Sequence, residues 1–306
     1  MQNDTAVILL AYGSPGSLSD IPTYLRNVRA GRRPPQDLVD RIINRYKAIG
    51  GRSPLLPLTK RIAQKLAEGL EMPVYIGMLH WHPYLEDTVE QMRDEGVGTV
   101  IAIPLAPHYS DLSIGKYHQR MVDALASGER KLDLRFVKSW HDQEHYLEGC
   151  VAHIQAGLKR FPARERDQVK VIFTAHSLPI SRLEEDDVYE DQLIETARAL
   201  AERLALDRKR WTLAYQSAPR ADSTWMGPHL ETLVKNAAEA GNRHLLIAPI
   251  GFITDHLEIL YDIDVKLKTL AESQHLNLKR IDMLNDSPAL VETLTSLVKR
   301  NLDIYD

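Results

Sequence analysis

A single cysteine, Cys150, stands among the 306 residues. It excludes an intrachain disulfide and any cluster held by several cysteines of one chain, so no iron–sulfur centre is expected and a reducing compartment suits the composition. No apolar run approaches the roughly 18 to 20 residues that a membrane-spanning helix needs. The amino terminus enters a strand-like run without the basic region and small-residue cleavage site of a secretory signal. A soluble, cytoplasmic protein is the expectation. Missing too are the Gly-x-x-x-x-Gly-Lys phosphate loop, a Gly-x-Gly-x-x-Gly after the first strand, Cys-x-x-Cys, His-Glu-x-x-His and Gly-x-Ser-x-Gly. Nucleotide cofactors, a stably held catalytic zinc and serine hydrolase chemistry all lose support with them.

The formal charge of −4 argues against a nucleic-acid binder, but the charge is unevenly placed. From Arg26 to Arg61 ten basic residues face two acids, Asp37 and Asp40, so this stretch carries +8 and the remainder −12. A local basic patch in an acidic chain suits a small polyanionic ligand. A solvated helix face is the alternative.

The chain repeats itself. "VILLAYGSP" (7–15) returns as "VIFTAHSLP" (171–179), with tyrosine in the sixth place of the first copy and histidine in that of the second. At a constant offset of 145, Pro83, Leu85, Glu86, Val89, Gly96 and Pro104 return as Pro228, Leu230, Glu231, Val234, Gly241 and Pro249. Each copy reads as a Pro-started helix, a Gly stop and a buried strand, "TVIAIPLAP" or "HLLIAPIGF". Upstream of each lies a further apolar strand, "PVYIGML" or "WTLAYQS". Continuous Val/Ile/Leu strands alternating with helices imply parallel sheets covered on both faces. Two α/β domains are therefore expected, 1–143 and 144–306, dividing after the strand "LRFVKSW".

In open parallel sheets the ligand crevice lies beyond the carboxyl ends of the strands. Those ends supply Tyr12, Gly13 and Ser14, then His80 and His82, then "APHYSDLS" in the first repeat. In the second they supply His176 and Ser177, then "QSAPR", then "GFITDHLEILYD". Histidines, tyrosines and an Asp/Glu pair at such positions suggest proton transfer or metal handling. Each has another reading. Asp255 and Glu258 have the spacing of a capping box, His176 could be satisfied by backbone with Ser177 capping the next helix, and Tyr12 could be packing.

"AYGSP", "RYKAIGGRSPL", "YIGMLHWHPY", "LAPHYSDLSIGKY", "TAHSLP" and "PIGFITDHLEILYD" resemble, in this order and across essentially the whole chain, the ferrochelatase family. Tyrosine in "AYGSP" and His108 in "APHYS" resemble the bacterial coproporphyrin ferrochelatases more than the protoporphyrin enzymes. The resemblance implies two similar Rossmann-like, chelatase-type domains, each a parallel sheet flanked by helices, with a porphyrin cleft between them and a C-terminal helix packing back on the first. It implies His176 and Glu258 as catalytic and metal-holding residues, and Tyr12, Arg29, Arg45, Tyr46, Ser53 and Tyr117 as porphyrin contacts. Trp225 matches a family aromatic, with packing as its other reading. The implied reaction inserts Fe(II) into coproporphyrin III and releases two protons, with iron as substrate and no tightly bound cofactor. Implied partners are that porphyrin, Fe(II) and neighbouring haem-pathway enzymes in transient contact with a monomeric chain. Protoporphyrin IX ferrochelatase, a cobalt or iron tetrapyrrole chelatase, and a porphyrin or haem carrier remain alternatives.

Three stretches depart from the family pattern. Asp186, Asp187, Val188 and Tyr189 stand where Gly-Asp-Pro-Tyr is common, although Tyr189 and Gln192 persist. Lys266 replaces the last acid of the row Asp262, Asp264, which puts an outer magnesium site in doubt. Ala30 stands where a second consecutive arginine is common, and a weaker hold on propionates is expected.

Overall fold

The computed structural model describes residues 4–128, 130–218 and 224–303. Its first sheet is built on β1 (Thr5–Ala11), which lies between β2 (Val74–Met78) and β3 (Thr99–Pro104), with β4 (Asp133–Phe136) outside β3. Every pairing is parallel. A central parallel strand is covered on both faces, which is why "TAVILLA" carries no polar alternation and is buried at all seven residues. Helices α1 (Ile21–Val28), α2 (Gln36–Ala48) and α3 (Leu55–Leu70) connect β1 to β2. Helix α4 (Leu85–Asp94) leads to β3 and α5 (Ile114–Ala126) to β4. Leu58, Ile62 and Leu66 of α3 recur at helical spacing and form its buried stripe.

The second sheet repeats this order. After α6 (Glu144–Lys159), β5 (Lys170–His176) is flanked by β6 (Trp211–Gln216) and β7 (His244–Pro249), with β8 (Asn277–Arg280) at the edge, again all parallel. Helix α7 (Tyr189–Arg203) joins β5 to β6, and α8 (Leu230–Glu239) joins β6 to β7. A π-helix, Glu258–Leu267, runs directly into α9 (Lys268–Ser273) before β8, and α10 (Pro288–Asp303) follows.

The 145-residue offset is visible in the backbone. Gly96 and Gly241 take φ of 88° and 82°, the left-handed region, where only glycine is free of strain. Around them Val97 N donates to Met92 O and Asn242 N to Ala237 O, each at 3.0 Å, closing the same helix stop twice. The expected Pro-started helices need correction. Pro83 and Pro228 follow cis peptide bonds, and the helices begin two residues later, behind Tyr84 and His229. Each proline instead uses its carbonyl to accept a strand-end amide, Met78 N and Tyr215 N respectively, at 2.9 Å.

The chain divides into two compact units. The first runs to Ala106 and adds Ser113–Trp140 and the chain from Asn285, so α10 belongs to it; the second is Pro107–Leu112 with His141–Leu284. Helix α10 packs on α3 and β3, whereas α6 packs on α7 and β7. Because α3 and α7 precede the second strand of their sheets, α10 and α6 occupy equivalent places. The second unit thus begins with the helix that the first receives last, a circular permutation of the same layout. Loop Pro107–Leu112 belongs to the second unit because α7 and the turn before it hold the loop. Gln192 Oε1 accepts from Tyr109 N at 2.7 Å, Asp187 Oδ2 accepts from Ser110 Oγ at 2.8 Å, and His108 Nε2 lies 2.9 Å from Thr196 Oγ1. Among the described residues no helix is long and apolar enough to cross a membrane.

Candidate active site

His176 is the last residue of β5. The strand is buried from Val171 to Ala175, and the histidine emerges from it half-buried at the carboxyl end of the sheet. Glu258 opens the π-helix. Its Oε2 lies 3.3 Å from His176 Nδ1, an ion-pair contact without hydrogen-bond alignment, and 3.9 Å from His256 Nε2. Burial pulls the His176 pKa down, but the Glu258 and Asp262 carboxylates outweigh it, and the imidazole titrates above its ordinary value. Burial likewise opposes a charged Glu258, yet His176 and then His256 hold its carboxyl well below the usual carboxylate range. The pair therefore favours imidazolium beside carboxylate, with the proton held at His176.

The surroundings fix both members. Tyr189 donates from its hydroxyl to the His176 carbonyl at 3.1 Å, and burial, then Glu258 and Asp187, push its own pKa up. The Phe252 ring neighbours both histidines, its centroid 6.4 Å from that of His176 and 4.7 Å from that of His256. His256 is turned by its Nδ1, which lies 2.9 Å from the Thr254 carbonyl. The capping readings do not describe these residues. The π-helix has no side-chain cap, Asp255 turns to Arg280 at 3.2 Å, and Ser177 Oγ donates to Met226 O at 2.8 Å.

The acidic row on the π-helix is committed internally. Asp262 accepts from Ser217 Oγ at 2.6 Å, Asp264 accepts from Nε and Nη2 of Arg280, and Lys266 pairs with Glu231 at 2.8 Å. Among the described residues no three His, Cys, Asp or Glu side chains are arranged to close around a metal ion. The departure at Asp186 to Tyr189 has a local role, since Asp187 also accepts from Asp111 N at 3.1 Å and Tyr189 N at 3.0 Å. Of "QSAPR", Pro219 and Arg220 lie outside the described residues. Trp225 is half-buried and bridges to Pro179.

In the first unit Tyr12 is the residue after β1, as His176 ends β5. It is 46% exposed, and its ring meets His80 edge-on at 4.5 Å between centroids. His80 donates its backbone N–H to the Tyr12 carbonyl at 3.0 Å. Burial, then the Arg120 and Lys116 charges, lower the His80 pKa to about 4. Tyr117, buried on α5, has its phenol pushed up by burial and by Tyr12. These three form one group beyond the strand ends. Arg29 is exposed at the end of α1, Arg45 half-buried and Tyr46 buried on α2, and Ser53 buried before α3, where its Oγ accepts from Leu55 N at 3.2 Å. Ala30 takes a left-handed φ of 52°. Sequence reasoning did not single out His256. Its signal was there, two residues ahead of Glu258 in "DHLE".

The ferrochelatase family model matches residues 4–302. The chain is 42% identical over 305 residues to a ferrochelatase of Herpetosiphon aurantiacus, covering 97% of this chain and 99% of the relative. It is 38% identical over 304 residues to a ferrochelatase of Deinococcus radiodurans, covering 98% and 96%. A coproporphyrin III ferrochelatase of Geobacillus kaustophilus is 34% identical over 306 residues, covering 97% and 96%. Among solved structures, the sirohydrochlorin chelatase SirB from Bacillus subtilis subspecies spizizenii in complex with cobalt superposes with a TM-score of 0.59 at 10% identity, covering 98% of this chain and 95% of that one. That likeness is one of fold.

Proposed function

The chain belongs to the ferrochelatase family, and we propose that it inserts Fe(II) into coproporphyrin III, with His176 and Glu258 at the metal-insertion face and Tyr12, Arg29, Arg45, Tyr46, Ser53 and Tyr117 toward the porphyrin. The observation that carries this reading is the His176–Glu258 pair, 3.3 Å apart at the carboxyl end of β5. The chemistry needs one weak donor for an arriving dication and one acceptor for two pyrrole protons. A neutral imidazole supplies the first, and an imidazole backed by a carboxylate supplies the second. An approaching dication disfavours the imidazolium, so metal arrival and proton departure oppose one another at His176. Two donors hold iron less tightly than a closed cage, which suits a metal that must leave for the ring. Iron is substrate and keeps its oxidation state: two N–H bonds break, four Fe–N bonds form, and two protons leave.

The choice of porphyrin rests on charge. Four propionates on coproporphyrin III suit the +8 segment from Arg26 to Arg61 better than the two of protoporphyrin IX. A relative named for coproporphyrin III supports the same choice. The test is anaerobic incubation of the protein with excess Fe(II) and coproporphyrin III, followed by absorbance. Many turnovers to the metalloporphyrin are expected. A stop at one equivalent of bound porphyrin would make the chain a carrier.

A further inference from the structure

Arg280, the last residue of β8, turns two of its three guanidinium nitrogens, Nε and Nη2, toward the segment that carries Glu258. Its Nε donates to Asp264 Oδ1 and its Nη2 to Asp264 Oδ2, both at 2.8 Å; Nη2 also lies 3.2 Å from Asp255 Oδ1, and Nη1 donates to the Ile281 carbonyl at 2.8 Å. The side chain is 13% exposed. Asp255 stands three residues before Glu258 and Asp264 six residues after it, so one planar, charged group fastens the chain on both sides of the acid. The fastening matters because Glu258 opens a π-helix without a side-chain cap. A π-helix is a rare form of backbone, and while Ile259 and Ile263 bury its apolar side in the core, the Arg280 grip reaches it from the polar side. Lysine could not reproduce a two-pronged grip on Asp264 together with a reach to Asp255.

We propose that Arg280 is a positioning residue for metal insertion: by holding Asp255 and Asp264 it sets where Glu258 stands relative to His176. The inference rests on the insertion role given above to that pair. A cavity of about 560 Å³ opens beside the clamp, lined by Arg280, Asp264, Arg160, Lys268, Glu272 and Asp282 among others. It gives a small planar cation a way in.

The experiment compares steady-state insertion by the wild type, Arg280→Ala, Arg280→Lys and Asp264→Asn, with and without millimolar guanidinium chloride. Wild-type turnover tests the functional reading by itself; the ratio of variant to wild type tests the clamp. Arg280→Ala is expected to lower kcat about 10- to 100-fold with porphyrin KM changed by less than about threefold. Guanidinium should restore part of kcat to Arg280→Ala and none to Arg280→Lys. Should Arg280→Ala fail to fold, Asp264→Asn decides, because it loosens one arm and leaves the arginine in place. Wild-type kcat in either folded variant overturns the proposal, as does a kcat loss in folded Arg280→Ala that guanidinium leaves unchanged.

Discussion

Nδ1 of His176 and Oε2 of Glu258 stand 3.3 Å apart, one at the end of β5 and the other at the start of the π-helix. Removing the imidazole removes both the metal donor and the proton acceptor. His176→Ala is therefore expected to abolish insertion while porphyrin still binds, as measured by absorbance under anaerobic Fe(II) and by porphyrin fluorescence titration. Glu258→Gln keeps the shape but not the charge, and should slow turnover about 100-fold or more. Near-normal turnover in either variant would remove the pair from the insertion step.

Gly251, just past β7, lies against the end of β5. A Cβ there would lie 2.6 Å from the Ala175 Cβ and 2.8 Å from its Cα, and Ala175 directly precedes His176. Backbone atoms cannot swing aside as a flexible side chain can. Gly251→Ala should destabilise the protein by about 1–3 kcal/mol, read as a shifted urea midpoint, and should lower turnover more than porphyrin affinity. A variant with wild-type kcat would mean that the end of β5 yields without moving the histidine.

The strands of the core were legible because they are buried on both faces, so "TAVILLA" and "KVIFTAH" read as apolar runs twice over. Strand β8 was not legible: "NLKR" lies at a sheet edge with no buried residue, and it is held by pairing with β7 rather than by its own composition. The π-helix had no local signal either, since "EILYDIDVKL" carries an ordinary helical mixture and its wider hydrogen bonding comes from its setting. Spacing alone left Asp255 and Glu258 open between capping and chemistry. Arg280 draws Asp255 away from the capping role, but it lies 25 residues away, beyond reach of any local pattern. That α10 joins the first unit and α6 the second depends on which groove each helix fills; the family resemblance implied the return of the last helix, whereas sequence order alone does not show it.

Two histidines away from the insertion pair give the acid side of the stability curve. Burial, then Arg120 and Lys116, lower the His80 pKa to about 4; burial, then His141, lowers that of His108 well below its ordinary value. Both are neutral in the folded protein, while the unfolded chain takes up their protons below about pH 6.5. For His80 unfolding thus binds a proton between pH 6.5 and about 4, and His108 acts in the same direction; the stability these two contribute is full above 6.5 and falls as the pH is lowered, by at most about 1.4 kcal/mol per pH unit each and by less for the partly exposed His80. His108→Gln, which can still reach Thr196 across a 2.9 Å contact, should flatten the slope in urea melts taken from pH 7 to 4. An unchanged slope would place the acid sensitivity elsewhere.

The choice of porphyrin can be decided by salt. Arg26, Arg29, Arg32, Arg33 and Lys47 are exposed on and between α1 and α2, so their pull on an anion acts largely through solvent. Coproporphyrin III carries two more propionates than protoporphyrin IX. Its kcat/KM should therefore be the higher of the two at low ionic strength, with each porphyrin kept monomeric. Screening sets in beyond about 8–10 Å near physiological salt, so raising the salt should narrow the preference without reversing it. Arg29→Ala combined with Arg45→Ala should narrow it in the same way, through a higher KM for coproporphyrin III, since a charge-assisted hydrogen bond contributes about 1.5–3 kcal/mol where it is desolvated and less where it is exposed. Arg29 is exposed and Arg45 half-buried, so the larger share of the effect should come from Arg45. If protoporphyrin IX is turned over equally well or better at low salt, the basic segment is a solvated face and the substrate assignment fails, while the roles of His176 and Glu258 are untouched.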